Sequence, residues 1–283
     1  MALNYYSFQF GSFVFGGSAS PFQIMDVDGL GLPELRVQDD NRGYNDGMFS
    51  GRDFLSGRTL TFTINIFGDA VRNAQQNLAL FNAAMIPQQS GTTALSFQLA
   101  PTDSVKTLNA RVRSRRVLID PDYTYGYIRT QVTMFAPNPK YYDLASTTAT
   151  ITPSVLSGRT YNRVYNLLYG GGSNSASTTI VNNGSWTTYP LVTITGPITN
   201  PTLTNITTNQ SLSVTTTLLA TDSLVLDLEN RNVLLNGSSA RNLLTGSSQW
   251  FGAAPGSSVY TLSGTSFSPG VTLATIVYQN AYI

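Results

Sequence analysis

Hydrophobic and polar residues alternate most cleanly in TLTFTINIF, where Leu60, Phe62, Ile64 and Ile66 are separated by Thr61, Thr63 and Asn65. A period of two is that of a strand with one buried face. After Gly68 the period changes: Val71, Ala74, Leu78, Phe81 and Met85 follow spacings of three and four, one stripe of a helix. Asp69 is placed to cap this helix and Pro87 to close it, so the pattern predicts a helix near 69–86. Strand patterns return over Ala94–Leu99, Leu108–Ile119 and Tyr125–Phe135. The last two flank Asp120-Pro121-Asp122, a turn signal, and so predict a hairpin of long strands.

Beyond residue 145 no helical period survives. Short strands are predicted at Thr178–Val181, Leu191–Thr195, Leu212–Thr217, Leu224–Leu228, Val233–Leu235, Val259–Leu262 and Val271–Tyr278. Their spacing suits an antiparallel sandwich of two sheets. Leu224, Leu226 and Leu228 point to one face, with Val225, Asp227 and Glu229 on the other. Tyr169-Gly-Gly-Gly-Ser-Asn-Ser reads as a flexible loop. The expected class is mainly β, a β-rich α+β chain: an N-terminal β domain with one helix, then a C-terminal antiparallel β-sandwich.

Charge sharpens the division. Residues 1–145 hold 12 Arg+Lys and 12 Asp+Glu, whereas residues 146–283 hold 4 and 3. The change follows Pro137 and Pro139, so a boundary is expected near 140–150, giving domains 1–145 and 146–283. Charged residues make up only 11% of the chain, against roughly 25% in an average soluble domain. A surface of Ser, Thr, Asn and Gln repels identical copies weakly, which suits a protein that packs against itself. The net charge of +1 gives no global field to gather nucleic acid or an anionic membrane. The opening MALNYYSFQF lacks the basic and apolar regions of a secretory signal, and no run of about 18 apolar residues is present. Synthesis in the cytosol is the expectation.

The chain has no His and no Cys. That removes the Ser-His-Asp triad, thiol nucleophiles and the usual zinc ligands. Only Lys106 and Lys140 could serve a Ser-Lys site, and neither sits in a recognisable motif. Asp227 and Glu229 share a strand face, but paired glycosidase carboxylates come from separate elements across a cleft, and a solvated strand end explains them better. Asp26-Val-Asp28-Gly and Asp39-Asp40-Asn41 resemble pieces of calcium loops yet lack the remaining spaced oxygens. No catalytic residue, metal site or cofactor is expected. Arg111, Arg113, Arg115 and Arg116 form the one basic cluster, with 111, 113 and 115 on the same face of an ideal strand. Three readings stay open: a seam between subunits meeting carboxylates near Asp39, Asp46 and Asp53, a plain solvated face, or contact with nucleic acid.

Two stretches resemble the distal tail proteins of long-tailed bacteriophages (siphophages). The first is DDNRGYNDGMFSGRDFLSGRTLTFTINIFG, in which Arg42, Gly43, Asp46, Gly47, Gly51, Arg52, Gly57 and Arg58 fill an Arg- and Gly-rich turn segment leading into a long strand and a helix. The second is LVLDLENRNVLLNGSSARNLLTGSSQWFGAAPGSSVYTL, with Asp227, Asn236, Gly237, Trp250, Phe251, Pro255 and Gly256 in the matching places. The resemblance implies a first domain that closes a ring, a hexamer in the family, and a peripheral galectin-like or jelly-roll sandwich. It also implies that the tail tube protein and a tail-associated hub or receptor-binding proteins are partners at the virion tail tip. Arg42, Asp46, Arg52, Arg58, Arg111, Arg113 and Arg115 are then the candidate interface residues.

Two other functions compete. A carbohydrate-binding module of the tail tip would use Trp186 as a stacking platform; core packing is the plainer role for Trp250. A hydrolase acting on the cell envelope is disfavoured by the missing His.

Overall fold

The computed structural model describes residues 3, 5–153, 176–268 and 270–283. The loop expected at Tyr169–Ser175 lies outside these residues. The chain divides into two compact units, Met1–Leu144 with Ile283 and Ala145–Tyr282. The fold is mainly β, with antiparallel sheets and one α-helix among the described residues.

The first unit runs β1 (Ser7–Phe10), β2 (Phe13–Gly16), β3 (Phe22–Asp28), four two-residue strands β4 (Leu35–Arg36), β5 (Asp40–Asn41), β6 (Met48–Phe49) and β7 (Phe54–Leu55), then β8 (Arg58–Ile66), α1 (Ala74–Ala84), β9 (Thr93–Gln98), β10 (Lys106–Leu118), β11 (Ile128–Ala136) and β12 (Tyr141–Asp143). Its main sheet has the order β2-β1-β9-β10-β11-β8-β3, with β12 added on β10. The alternation read in TLTFTINIF is that of β8, whose Leu60, Phe62, Ile64 and Ile66 are fully buried. Burying each such side chain contributes roughly 1.5–3 kcal/mol. Aromatic rings fill the core side: Phe8 lies edge-on to Phe62 at 5.1 Å and stacks with Phe97 at 5.4 Å.

Helix α1 covers this core through Phe81, whose ring is 6.1 Å from Phe13 and 6.2 Å from Phe22. It starts later than the periodicity suggests. Asn73 is the N-cap: its side chain accepts from the Gln76 amide at 2.9 Å, and Gln76 Oε1 accepts from the Asn73 amide at 3.0 Å. Asp69 instead caps the preceding turn by accepting from the amides of Val71 and Arg72. Val71 is therefore exposed, and Asn77 takes its place on the buried face, donating to Phe67 O at 2.8 Å. The hairpin of β10 and β11 is present, but its connection is a 3-10 turn over Pro121–Tyr125.

The second unit holds β13 (Thr147–Ile151), β14 (Ala176–Asn182), β15 (Leu191–Thr195), β16 (Ile198–Asn205), β17 (Gln210–Ser213), β18 (Thr217–Leu218), β19 (Ser223–Asp227), β20 (Asn232–Leu235), β21 (Ser238–Ser239), β22 (Gly256–Thr265), β23 (Leu273–Tyr278) and β24 (Ala281–Tyr282). One sheet is ordered β13-β23-β15-β19-β20-β21, the other β14-β22-β16-β17 with β18 beside β16. Ile194, Leu224, Leu226 and Ile276 from the first sheet share one core with Ile180, Leu203, Leu212 and Leu262 from the second. This is a two-sheet sandwich. The expected alternation over 224–228 holds, Leu224, Leu226 and Leu228 all being buried. Phe251 is the core aromatic, 5.6 Å from Tyr260, while Trp250 is only partly buried against the cluster.

Candidate assembly surface

Between β3 and β8 the chain leaves the sheet of the first unit and returns after nearly thirty residues. Its departure depends on Gly29, which has φ +90°; an added Cβ would lie 2.0 Å from Thr59 O. The return depends on Arg58. This side chain is 1% exposed. Its Nε donates to Pro139 O at 3.0 Å and its Nη1 donates to Gly29 O at 2.7 Å and to Gly31 O. The guanidinium lies 4.3 Å from the centre of the Tyr141 ring, whose hydroxyl donates to Leu30 O at 2.8 Å. Arg58 and Tyr141 thus clamp both ends of the excursion. Burial holds the Arg58 guanidinium below its ordinary value and pushes Tyr141 up to about 12.

Above the clamp the segment forms an arm. β4 pairs with β7 and β5 with β6, in register Arg36 to Phe54 and Asp40 to Phe49. Close approach at Gly51 joins the two ribbons: its amide donates to Asp39 Oδ1 at 2.9 Å, and a Cβ there would meet Gln38 O at 1.7 Å. Almost every arm side chain is exposed, large apolar ones included. Leu32, Val37, Met48 and Phe49 are each more than half exposed, and Tyr44 is completely so. Arg42 lies over Phe49 at 5.1 Å, and Arg36 and Arg52 flank Phe54 at 5.4 and 5.5 Å. Apolar residues left outside a core in one contiguous segment mark a contact surface.

A second surface is the outward face of the β10–β11 hairpin. Here the expected trio of arginines does not survive intact. A β-bulge falls at Arg113, between the pairs Val112–Met134 and Ser114–Thr133. A bulge adds one residue to one strand and reverses the facing of every later position on it. Arg111 pairs with outward Phe135, but Arg115 pairs with Val132, a core position. Arg115 therefore turns inward to the end of α1, donating to Asn82 O at 2.6 Å and Met85 O at 3.2 Å. Its cation satisfies helix-terminal carbonyls rather than a neighbour. Arg116, opposite Gln131, takes its place on the outer face. Arg111 and Arg113 lie over Phe135 at 6.0 and 4.9 Å.

The interface candidates thus separate into three groups. Arg42, Asp46 and Arg52 are exposed on the arm; Arg111 and Arg113 are on the hairpin face; Arg58 and Arg115 are tied to carbonyls within the chain. The last two are corrections: neither guanidinium is presented to a partner. The apolar fringe of the arm was missed in the sequence. The signal was there in Val37, Tyr44, Met48 and Phe49, which follow no period.

In the second unit, Trp186 is 38% exposed. Its amide donates to Ala281 O at 2.9 Å, and its carbonyl accepts from Asn182 Nδ2 at 2.7 Å. Asp227 accepts twice from Asn230 and locks a turn. Asp28 and Asp39 each accept from a glycine amide. Among the described residues no group of three or more acidic side chains is gathered for a metal ion.

The chain thus has two β-rich units, one of them bearing an exposed arm. Residues 183–282 match the family model for the siphovirus-type tail component, C-terminal domain. That span contains the whole of the second resembling stretch. The fold over the full length is Dit-like: it is similar to the crystal structure of Dit from phage SPP1, described as a paradigm of the hub adsorption apparatus in phages infecting Gram-positive hosts. The TM-score is 0.67 at 14% identity, covering 98% of this chain and 99% of that one. Two structures of the phage p2 baseplate in its activated conformation, with calcium and with strontium, give TM-scores of 0.46 and 0.45 at 11% and 12% identity. They cover 93% and 96% of this chain and 92% and 97% of theirs. No curated protein matches the chain by sequence.

Proposed function

We propose that this chain is a distal tail protein that closes a ring, a hexamer by family resemblance, between the tail tube and the host-adhesion apparatus. The first unit forms the ring and the sandwich is displayed at its periphery. The tube protein and the hub or receptor-binding proteins are its partners, at the tip of the virion tail, after synthesis in the host cytoplasm. Its role is mechanical rather than enzymatic.

The observation that carries this reading is the arm. A clamped root and a row of exposed apolar residues make sense only if another surface covers them. Because an arm and its receiving surface differ, the contact is heterologous, and heterologous contacts close into rings when the rotation permits. Repetition around the ring lets individually weak contacts hold firmly. Mass photometry and negative-stain imaging of the purified chain test this: one large species with a central hole is expected. A strict monomer at every concentration, also unable to join tails, refutes it.

A further inference from the structure

Counted over the whole first unit, charges balance, yet they are segregated in space. The arm, residues 30–57, carries five acids (Glu34, Asp39, Asp40, Asp46 and Asp53) against three arginines. Those three arginines, Arg36, Arg42 and Arg52, lie over the arm's own phenylalanine rings. The outward face of the hairpin carries Arg111, Arg113, Arg116 and Arg129, with Asp122 paired to Arg129 at 3.8 Å. Among the described residues, Glu34, Asp40, Asp46 and Asp53 form no ion pair, and neither do Arg111, Arg113 and Arg116.

We propose that the arm of one copy lies across the outward face of the β10–β11 hairpin of the next copy, its Asp40, Asp46 and Asp53 meeting Arg111, Arg113 and Arg116. This rests on the ring reading above and names the two surfaces that make the ring. The acidic arm and the basic face cannot each pair with themselves, so a two-fold dimer through either is opposed by like charge. Only arm to hairpin satisfies both, and that contact runs head to tail. Reach is sufficient: about fourteen extended residues from root to tip span up to roughly 45 Å. The receiving face also suits the arm's aromatics. Arg111 and Arg113 spread over Phe135 make a flat guanidinium-aromatic surface on which Tyr44 and Phe49 can stack.

Charge reversal in the full chain tests this. Two variants are compared by mass photometry at about 150 mM salt, where exposed charges still interact across about 8 Å. In one, Arg113→Glu and Arg116→Glu reverse the face; in the other, Asp40→Arg and Asp46→Arg reverse the arm. Each alone is expected to lose at least tenfold in ring population. An equimolar mixture is expected to recover rings, because in an alternating ring every arm then meets a face of opposite sign. Such recovery also shows that both variants fold. A second readout uses the absence of cysteine: a chain carrying Asn45→Cys and Ser114→Cys, oxidised with diamide, should give a ladder of covalent multimers. Rings unaffected by either reversal, or no ladder from wild-type-like rings, overturn the arm-to-hairpin contact and leave the ring reading standing. If the wild type makes no closed species, the ring reading fails and this contact falls with it.

Discussion

Among the described residues, the buried polar side chain with the most hydrogen bonds differs in chemistry between the two units. In the first unit it is Arg58, a cation held by three backbone carbonyls and an aromatic ring. In the second it is Asn182, 1% exposed, a neutral amide whose Nδ2 donates to Trp186 O and Ala253 O while its Oδ1 accepts from the amides of Gly184 and Ala281. A buried guanidinium carries a large desolvation penalty unless well bonded, whereas an amide costs far less. The guanidinium has a longer reach and draws together backbone that no strand pairing connects. The first unit needs that reach, because its arm must leave and re-enter the sheet at one fixed place. The sandwich projects nothing comparable among its described residues, and amides and hydroxyls suffice to tie its loops.

Several substitutions break or sharpen this contrast. Arg58→Ala strands the carbonyls of Gly29, Gly31 and Pro139, and is expected to cost about 4 kcal/mol, measured by urea unfolding. Arg58→Lys should recover little, since an ammonium cannot reproduce the guanidinium fork. Asn182→Ala is expected to cost about 3 kcal/mol, read as lost protection of the Trp186 and Ala253 region in hydrogen exchange with the arm unaffected. Raising pH should weaken the clamp further. Tyr141 titrates near pH 10 when unfolded and at about 12 when folded, because burial disfavours the phenolate. Its stabilising contribution is therefore complete below about pH 10 and declines as pH rises from there towards 12. Urea midpoints across that window, with absorbance of the phenolate, should show the decline, and Tyr141→Phe should lessen it. Asn73→Ala removes one half of the capping box and is expected to cost about 1 kcal/mol, with the arm and sandwich untouched. A loss of more than twice that would mean that α1 does more than cover the core.

Local periodicity made much of this architecture legible. The strand β8, the β10–β11 hairpin and the leucine alternation of β19 were all visible because each strand has one wet face and one dry one. The start of α1 was misplaced because Asp69 and Asn73 both fit a cap, and only tertiary packing of Asn77 decides between them. Strand β16 was missed altogether. Its sequence ITNPTLTN contains Pro201, which reads as a breaker, but a bulge between Thr199 and Thr202 accommodates it, with Asn200 at φ +51°. The bulge at Arg113 hid in the same way. Four arginines on an ideal strand give one facing pattern, and a single extra residue gives another. Arg58 was legible as part of a motif and illegible in role, because its partners lie 27 to 81 residues away.

The position of β23 has a consequence for how the molecule is made. This strand, Leu273–Tyr278, lies between β13 and β15, which precede it by more than 75 residues. On a translating ribosome the hydrogen-bonding edges of β13 and β15 must wait for their shared neighbour. In the first unit, by contrast, the strand path β2-β1-β9-β10-β11-β8-β3 is fully synthesised by residue 136. At elongation rates of roughly 5–20 residues per second the interval is on the order of ten seconds, during which the nascent sandwich presents an open seam. The sparse charge and abundant threonine of that half then bear on survival during birth, since an incomplete sheet must resist pairing with strands of neighbouring nascent chains.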